Sequence, residues 1–322
     1  MIPSHNEEET IGRLVQMIPR HIEGIDDVKV LVMNDASTDQ TARIARESGA
    51  DRVIDSGLRM GLAQIFAWGL RIALGMGADI IVNIDADLQY DPKEIPSLVR
   101  PIIAEDADVV LGSRMKGKIE YMPLSKAIGN RIATILTKAL SSAPISDAQT
   151  GFRALSRQAA LRMNIDSTYT YTQEMIMQAQ YKGMRIVEIP VAFAKRDGNS
   201  RLVDSTTAYA ARSAVTMLGT HLRYRAPRIL IPAGIIIAFS GLVLGLIVLW
   251  RYAETGLVSP HLPSAILTGA LLTVGFELVI IGLFADMLRG DRELLEKIAH
   301  RLSINIDQDA RKTEEDDDSV SA

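Results

Sequence analysis

The apolar positions of this chain fall into two regimes. Through residues 1–205 they form short runs and helical stripes that alternate with polar turns; beyond residue 228 they merge into two long blocks. In the first regime, residues 28–33, 52–54, 80–84, 108–112 and 185–193 are short runs rich in Val and Ile, the pattern of buried strands. Between them, Ile11, Leu14, Val15 and Ile18 recur at helical spacing, with Ser4 or Asn6 placed to cap that helix. Ile65, Trp68 and Ile72 line one side of a helix over 61–76, and Pro92 sits near the start of a helix running to about residue 105. Residues 124–140 and a segment starting at Tyr171 read as further helices. Strands alternating with helices predict an α/β fold, a mixed but mostly parallel sheet flanked by helices. Only two residues precede Pro3, so the first strand is very short or begins upstream of Met1.

In the second regime, residues 229–250 contain no charge and span about 33 Å as a helix, close to the ~30 Å of a bilayer's hydrocarbon core. Residues 262–285 carry one charge, Glu277. Arg223, Arg225 and Arg228 precede the first block, and Arg289, Arg292 and Lys297 follow the second. The positive-inside rule then puts both ends, and the domain before them, in the cytoplasm. Residues 206–228 mix Val215, Met217 and Leu218 with Arg212 and His221, which predicts a juxtamembrane helix at the lipid surface, with a plain linker helix as the alternative. Glu277 is costly against lipid, so it is expected to face the other span or a neighbouring subunit of a homo-oligomer. The predicted organisation is a domain over 1–205, the juxtamembrane helix, two spans within 229–288 and a tail over 289–322. The tail's acidic end, Glu314 to Asp318, is expected to be disordered.

Charge and composition narrow the chemistry. A net charge of -4 argues against nucleic acid as a partner. The absence of cysteine removes disulfides, thiolate metal sites and a Cys nucleophile. The polar first residues argue against a signal peptide. No G-x-G-x-x-G follows a strand and no P-loop is present, so the common dinucleotide and NTPase fingerprints are missing. What remains is the end of the 80–84 strand, where Asp85, Asp87 and Gln89 follow one another at alternate positions. In open α/β sheets ligands sit beyond the carboxyl ends of strands. Alternation along an extended chain would put all three side chains on one face. Such hard oxygens suit Mg²⁺ or Mn²⁺ with phosphate as co-ligand; the same residues also fit an ordinary strand-ending turn.

Four segments in order decide between these: Pro3-Ser4-His5-Asn6-Glu7, Asn34-Asp35-Ala36-Ser37-Thr38-Asp39, Asp85-Ala86-Asp87-Leu88-Gln89 and Gly112-Ser113-Arg114. Together they resemble a family 2 glycosyltransferase of GT-A fold, most of all the branch with dolichyl-phosphate mannose synthase and polyprenyl-phosphate glucosyltransferases. The resemblance covers residues 1–205, and the tail is also similar. It implies that Pro3, Asn6, Glu7 and Asp35 hold a nucleotide's base and ribose, and that Asp85, Asp87 and Gln89 surround its diphosphate and a Mg²⁺ or Mn²⁺ ion. Asp147, in Asp147-Ala148-Gln149-Thr150-Gly151-Phe152, and Glu174 match family acids near the sugar. Arg196, Ser200 and Arg201 match a loop that holds the acceptor phosphate, with Arg114, Lys126 and Arg131 as further contacts. The implied reaction is transfer of one sugar from a nucleotide diphosphate sugar to dolichyl or polyprenyl phosphate, inverting and metal-dependent, with Asp87, Arg114 and Arg196 as catalytic residues.

Two departures stand out. Asn34 replaces a frequent Asp, and Arg59-Met60-Gly61-Leu62-Ala63 replaces a Gly-rich turn. The Gln-x-x-Arg-Trp motif of processive synthases is absent, since neither Trp68 nor Trp250 has that context. A diacylglycerol or glycan hydroxyl as acceptor is the alternative, and would need Asp147 or Glu174 as base. A non-catalytic membrane protein with a transferase-like domain would be marked by a broken acidic motif, which is intact here.

Overall fold

The computed structural model of the chain describes residues 1–167, 170–195, 206–257 and 262–321. Strands β1 (Ile2–Ser4), β2 (Leu31–Asn34) and β3 (Arg52–Asp55) pair in parallel in the order β1-β2-β3. Strands β4 (Ile80–Asn83), β5 (Val109–Ser113), β6 (Arg153–Ser156) and β7 (Ile186–Pro190) pair in the order β4-β6-β5-β7. β6 is antiparallel to both its neighbours, and β5 and β7 are parallel. Met1 joins the two sheets: its N donates to Val82 O at 2.8 Å, and its O accepts from Ile84 N at 3.2 Å. That is the slanted bonding of a parallel pair. The layer therefore reads 3-2-1-4-6-5-7 with only β6 reversed, the mixed and mostly parallel sheet expected.

Helices α1 (Ile11–Met17), α2 (Thr41–Glu47), α3 (Leu62–Gly75), α4 (Ile95–Ile103), α5 (Leu124–Ser141), α6 (Arg157–Arg162) and α7 (Thr172–Tyr181) surround it. Strand alternation sorts the core into two layers. Leu31 and Met33 of β2, with Val109 and Leu111 of β5, face a cluster built by α3, α6 and α7. Val32 and Val110 point the other way, toward Leu14, Leu98 and Ile102 of α1 and α4. In the first layer the Phe66 ring stacks on Tyr171 at 3.7 Å between centroids, 9° from parallel. This contact ties α3 to the start of α7.

Several expectations change. Helix α1 starts at Ile11 after Thr10, so neither Ser4, which lies in β1, nor Asn6 caps it. β6 and α6 have no counterpart in the sequence reading: β6 has four residues and opens on an Arg that is fully buried, which hides it from any hydrophobic pattern. The helix expected at 92–105 is a 3₁₀ turn, Pro92–Glu94, followed by α4.

Contacts divide the chain into two compact units, Met1–Thr220 with Ser303–Ala322, and His221–Leu302. Both units share α8 (Thr206–Thr255) and α9 (Leu262–Ser321). Instead of a separate juxtamembrane helix, residues 206–228 are the first part of α8, which continues past Pro227 and Pro232. α9 is continuous to Ser321, and no Pro or Gly interrupts residues 291–321. Tyr224–Thr255 and Leu262–Leu288 are long and apolar enough to cross a membrane. The two helices meet along small residues: a Cβ at Gly234 would lie 2.6 Å from Gly275 O, and one at Gly245 would lie 2.8 Å from Thr268 Cγ2. Glycine at such a seam lets the two backbones approach closely and gain packing contacts. Glu277 is exposed on α9 rather than turned to α8, because Gly275, two residues earlier, occupies the seam.

Removing the buried Phe66 ring leaves a void against Tyr171. Phe66→Ala is expected to cost about 3–5 kcal/mol, read as a lower thermal unfolding temperature of the full chain.

Candidate active site

The carboxyl ends of β1, β2 and β4 carry three loops that the sheet order places side by side. Backbone and side-chain bonds sew the first two together. Asn6 N donates to Ser37 Oγ at 2.9 Å, Thr38 N donates to Asn6 Oδ1 at 2.8 Å, and Glu7 N donates to Thr41 Oγ1 at 2.8 Å. Asn6 has φ 55°, a left-handed geometry that Asn tolerates. Asp35 is buried at the end of β2, accepting from Met60 N at 2.6 Å and Gly61 N at 2.9 Å. It thereby anchors the turn before α3. Asn6, Glu7 and Asp35 come together as expected. Pro3 does not join them as a surface: it lies buried inside β1, paired with Met33.

β4 ends at Asn83, so the acidic residues occupy a turn rather than an extended strand. The turn needs Leu88 at φ 57°, an unfavourable value for a branched side chain. It brings Gln89 N to within 3.2 Å of Asp87 Oδ1. Asp85 and Asp87 are half-exposed. Asp85 lies against the backbone of Gly151: a Cβ there would come 2.6 Å from Asp85 Cγ, so any other residue would displace the carboxylate. Gln89 is more enclosed than the two acids. Its Nε2 donates to Ala194 O at 3.3 Å while Ala194 N donates back to Gln89 O at 2.9 Å. These bonds tie the acidic turn to the segment after β7. Among the described residues no three His, Cys, Asp or Glu side chains gather around one centre. Two half-exposed carboxylates suit an ion that takes its other ligands from water and phosphate, as Mg²⁺ does.

Arg114, just beyond β5, is almost wholly buried. Asp147 is buried with it, and accepts from Arg114 Nε at 2.7 Å, Arg114 Nη2 at 2.8 Å, Arg114 N at 3.1 Å, Asn130 Nδ2 at 3.2 Å and Gln149 N at 3.2 Å. With five donors on two oxygens, Asp147 is not a sugar contact; it holds Arg114. Burial alone would raise the Asp147 carboxyl, but Arg114 and the other donors hold it below the ordinary carboxylate value. Burial works against the Arg114 charge, and the hydrogen bonds and charge of Asp147, with Asp85 nearby, offset it, so the guanidinium stays charged. Its plane lies over the Phe193 ring, 5.1 Å from Cζ to centroid.

Glu174 is also corrected. It is buried and accepts from Ser167 N at 3.0 Å and Asp166 N at 3.3 Å, so it secures a loop before α7. Lys126 and Arg131 are exposed on α5. Arg196, Ser200 and Arg201 lie outside the described residues.

Tyr90 and Glu188 escaped the sequence reading. Burial pushes the Tyr90 hydroxyl up to about 12, so it is a neutral hydrogen-bonding group, 3.2 Å from Thr150 Oγ1 and accepting from Gly151 N at 3.3 Å. Tyr90 follows Gln89 directly, and that adjacency was the only available signal. Glu188 accepts from Ser146 N and Asp147 N, a link that no linear pattern contains.

Comparison with known proteins identifies the family and the fold. Residues 1–162 match the family described as Glycosyl transferase family 2. The low-salt glycan biosynthesis hexosyltransferase Agl6 of Haloferax volcanii is 31% identical over 295 residues, covering 89% of this chain and 68% of that protein. The UDP-N-acetylglucosamine–dolichyl-phosphate N-acetylglucosaminyltransferase of Methanococcus voltae is 29% identical over 212 residues, 59% of this chain and 83% of the relative. The undecaprenyl-phosphate mannosyltransferase of Micrococcus luteus is 29% identical over 217 residues, 63% and 86%. In fold, the chain is similar to glucosyl-3-phosphoglycerate synthase from Mycobacterium tuberculosis, with a TM-score of 0.55 at 21% identity over 68% of this chain and 78% of that one. That likeness establishes the GT-A fold.

The Asp147–Arg114 pair has a signed pH dependence. The folded Asp147 carboxyl titrates below its unfolded value near 3.8, so its contribution is complete above that value and is lost as pH falls through the lower one. Asp147→Asn strands a buried charge and is expected to cost about 3–5 kcal/mol between pH 5 and 8. The difference from wild type should shrink below about pH 4, checked by thermal melts across pH.

Proposed function

This chain belongs to glycosyl transferase family 2, and on that premise we propose that it moves one sugar from a nucleotide diphosphate sugar, of the GDP-mannose or UDP-glucose type, to dolichyl or polyprenyl phosphate at a membrane. The observation that carries this reading is the presence in one chain of half-exposed Asp85 and Asp87 beyond β4 and two helices of spanning length. A soluble acceptor needs no such anchor, whereas a lipid-linked acceptor resides where those helices would lodge. Two relatives named for lipid phosphate acceptors support the same choice. The charge pattern favours a cytoplasmic catalytic domain with both ends on that side.

The sewn loops after β1 and β2, with Asn6, Glu7 and Asp35, would border the base and ribose. Asp85 and Asp87 would hold Mg²⁺ or Mn²⁺ at the diphosphate; a fold neighbour solved with Mn²⁺ and uridine diphosphate is in keeping with this. Held there, such an ion would supply positive charge to a leaving nucleoside diphosphate. Arg114, kept charged by Asp147, is the buried cation suited to a phosphate, since a guanidinium fork leaves a further edge beyond the two nitrogens Asp147 takes. Ala194, bonded both ways to Gln89, ties the segment after β7 to the acidic turn; Arg196, Ser200 and Arg201, which lie outside the described residues, are the acceptor-phosphate contacts implied by the family resemblance. A phosphomonoester with a second pKa of about 6 is largely dianionic at neutral pH. Its oxygen attacks the anomeric carbon while the bond from that carbon to the diphosphate breaks. No proton moves, and the configuration inverts. A hydroxyl acceptor would need a base, and the two acids expected to serve, Asp147 and Glu174, are both buried and occupied by donors.

α5 adds a second support. Leu124, Ile128, Ile132 and Ile135 are 76%, 51%, 53% and 56% exposed along one face. The helix has no acidic residue, and Arg131 and Lys138 flank the stripe. Such a face suits a lipid surface, where Arg131 and Lys138 would meet headgroup phosphates.

Membranes containing the chain, given labelled GDP-mannose, UDP-glucose or UDP-N-acetylglucosamine with dolichyl phosphate and Mg²⁺ or Mn²⁺, should move label into organic solvent with one donor. Asp87→Ala should reduce transfer by about 10²–10³-fold, and chelation of the ion should do the same reversibly. No lipid label with any donor would refute the acceptor assignment. Lipid burial of each isoleucine is worth about 1.5–3 kcal/mol, so Ile128→Ser with Ile132→Ser should raise the apparent KM for dolichyl phosphate about tenfold or more, with the donor KM unmoved.

A further inference from the structure

Beneath Arg114 lies a buried carboxylate that touches neither the acidic turn nor Arg114 itself. Glu188 sits in the middle of β7, opposite Leu111 of β5, with its side chain 1% exposed. A carboxylate this far from water persists only where donors fill its lone pairs. Four do. Ser146 N at 2.6 Å and Asp147 N at 3.0 Å bond Oε1; Ser146 Oγ at 2.8 Å and Lys116 Nζ at 3.1 Å bond Oε2. Ser146 Oγ is in turn 2.8 Å from Ser113 Oγ, the residue before Arg114.

These bonds form a closed path. Glu188 takes two successive main-chain N–H groups and so sets the backbone of the turn that carries Asp147. Asp147 takes Nε and Nη2 of Arg114 and so sets its guanidinium. Lys116, two residues beyond Arg114 and half-exposed, returns the path from β5 to Glu188. Packing alone does not call for an acid here: an apolar side chain of similar volume would fill the space between β5 and β7. What an apolar side chain cannot do is accept from two neighbouring amides at once.

We propose that Glu188 is a positioning residue for sugar transfer, setting through the Ser146 and Asp147 amides the place at which Asp147 presents Arg114 to the acceptor phosphate. The inference rests on the reading of Arg114 given above. Its leverage is geometric, because a misplacement of about 1 Å at a reacting centre can cost on the order of 10²-fold in rate.

The test uses the full chain in lipid, with dolichyl phosphate and whichever of the three labelled donors it uses. Glu188→Ala should lower kcat by about 10²-fold. The donor KM should stay within about twofold, because the loops after β1, β2 and β4 that border the donor are untouched. Glu188→Gln keeps an oxygen for both amides and should recover most of that loss. In an Asp147→Asn background, Glu188→Ala should add no further loss, since both remove the same link. Glu188→Asp, one methylene shorter with its charge retained, serves if the alanine variant fails to fold, and should likewise lower kcat with the donor KM unchanged. Near wild-type kcat in both Glu188→Ala and Glu188→Asp, with Asp147→Asn impaired, overturns the role of Glu188 and leaves Arg114 in place. Independent, multiplying losses in the double variant also overturn it. Wild-type transfer by Asp147→Asn instead overturns the reading of Arg114 on which the proposal stands.

Discussion

A charge buried beside the sheet governs how this molecule is built around its site. Arg114 and Asp147 have both left water, and each would be costly alone. Their pairing is tolerated because every oxygen of the acid is used and because the guanidinium rests on an aromatic face. That demand reaches outward. It calls for Asn130 from α5, for the turn before β6, and for Glu188 from β7 to hold the turn. β6, the one reversed strand, returns the chain from that turn through the centre of the sheet. Arg153 at its start is buried without a carboxylate bonded to it and is satisfied by the carbonyls of Ala148, Thr150 and Thr172, which fasten the same loop from below.

On the other side of the site the constraint is backbone geometry. The acidic turn beyond β4 accepts Leu88 in a left-handed conformation and requires glycine at 151 so that Asp85 can lie on the backbone. Strain of this kind costs roughly 1–3 kcal/mol and persists where the surroundings over-determine it. Here the surroundings are Tyr90, bonded to Thr150 and Gly151, and the two-way bonding of Gln89 with Ala194. The half-exposed acids are thus carried on a rigid support, which is what preorganised electrostatics requires. The ends of β1 and β2 are made rigid differently, by stitching two loops to each other through Asn6, Ser37, Thr38 and Thr41.

The helical unit is built the other way round. Its two helices meet on glycine and show apolar side chains outward, the reverse of the sheet domain. Glu277 is a charged side chain on that outward face.

By itself the sequence determined the alternation of strands and helices, the two spanning-length blocks, the order of the four segments and the family they signal. These are local or linear properties: the period of side-chain direction, the length of an apolar run, the spacing of acids. Only the tertiary structure decided what each acid does. Asp85, Asp87, Asp147 and Glu174 look alike along the chain, yet two remain half-exposed and two are sealed under donors. Around the Asp147 turn the difference arises from Asn130, Arg114 and Glu188, 17 to 41 positions away, and at Glu174 it arises from the fold of the preceding loop, whose Asp166 and Ser167 amides turn onto it. Solvation depends on all neighbours in space, and a one-dimensional pattern carries no record of them.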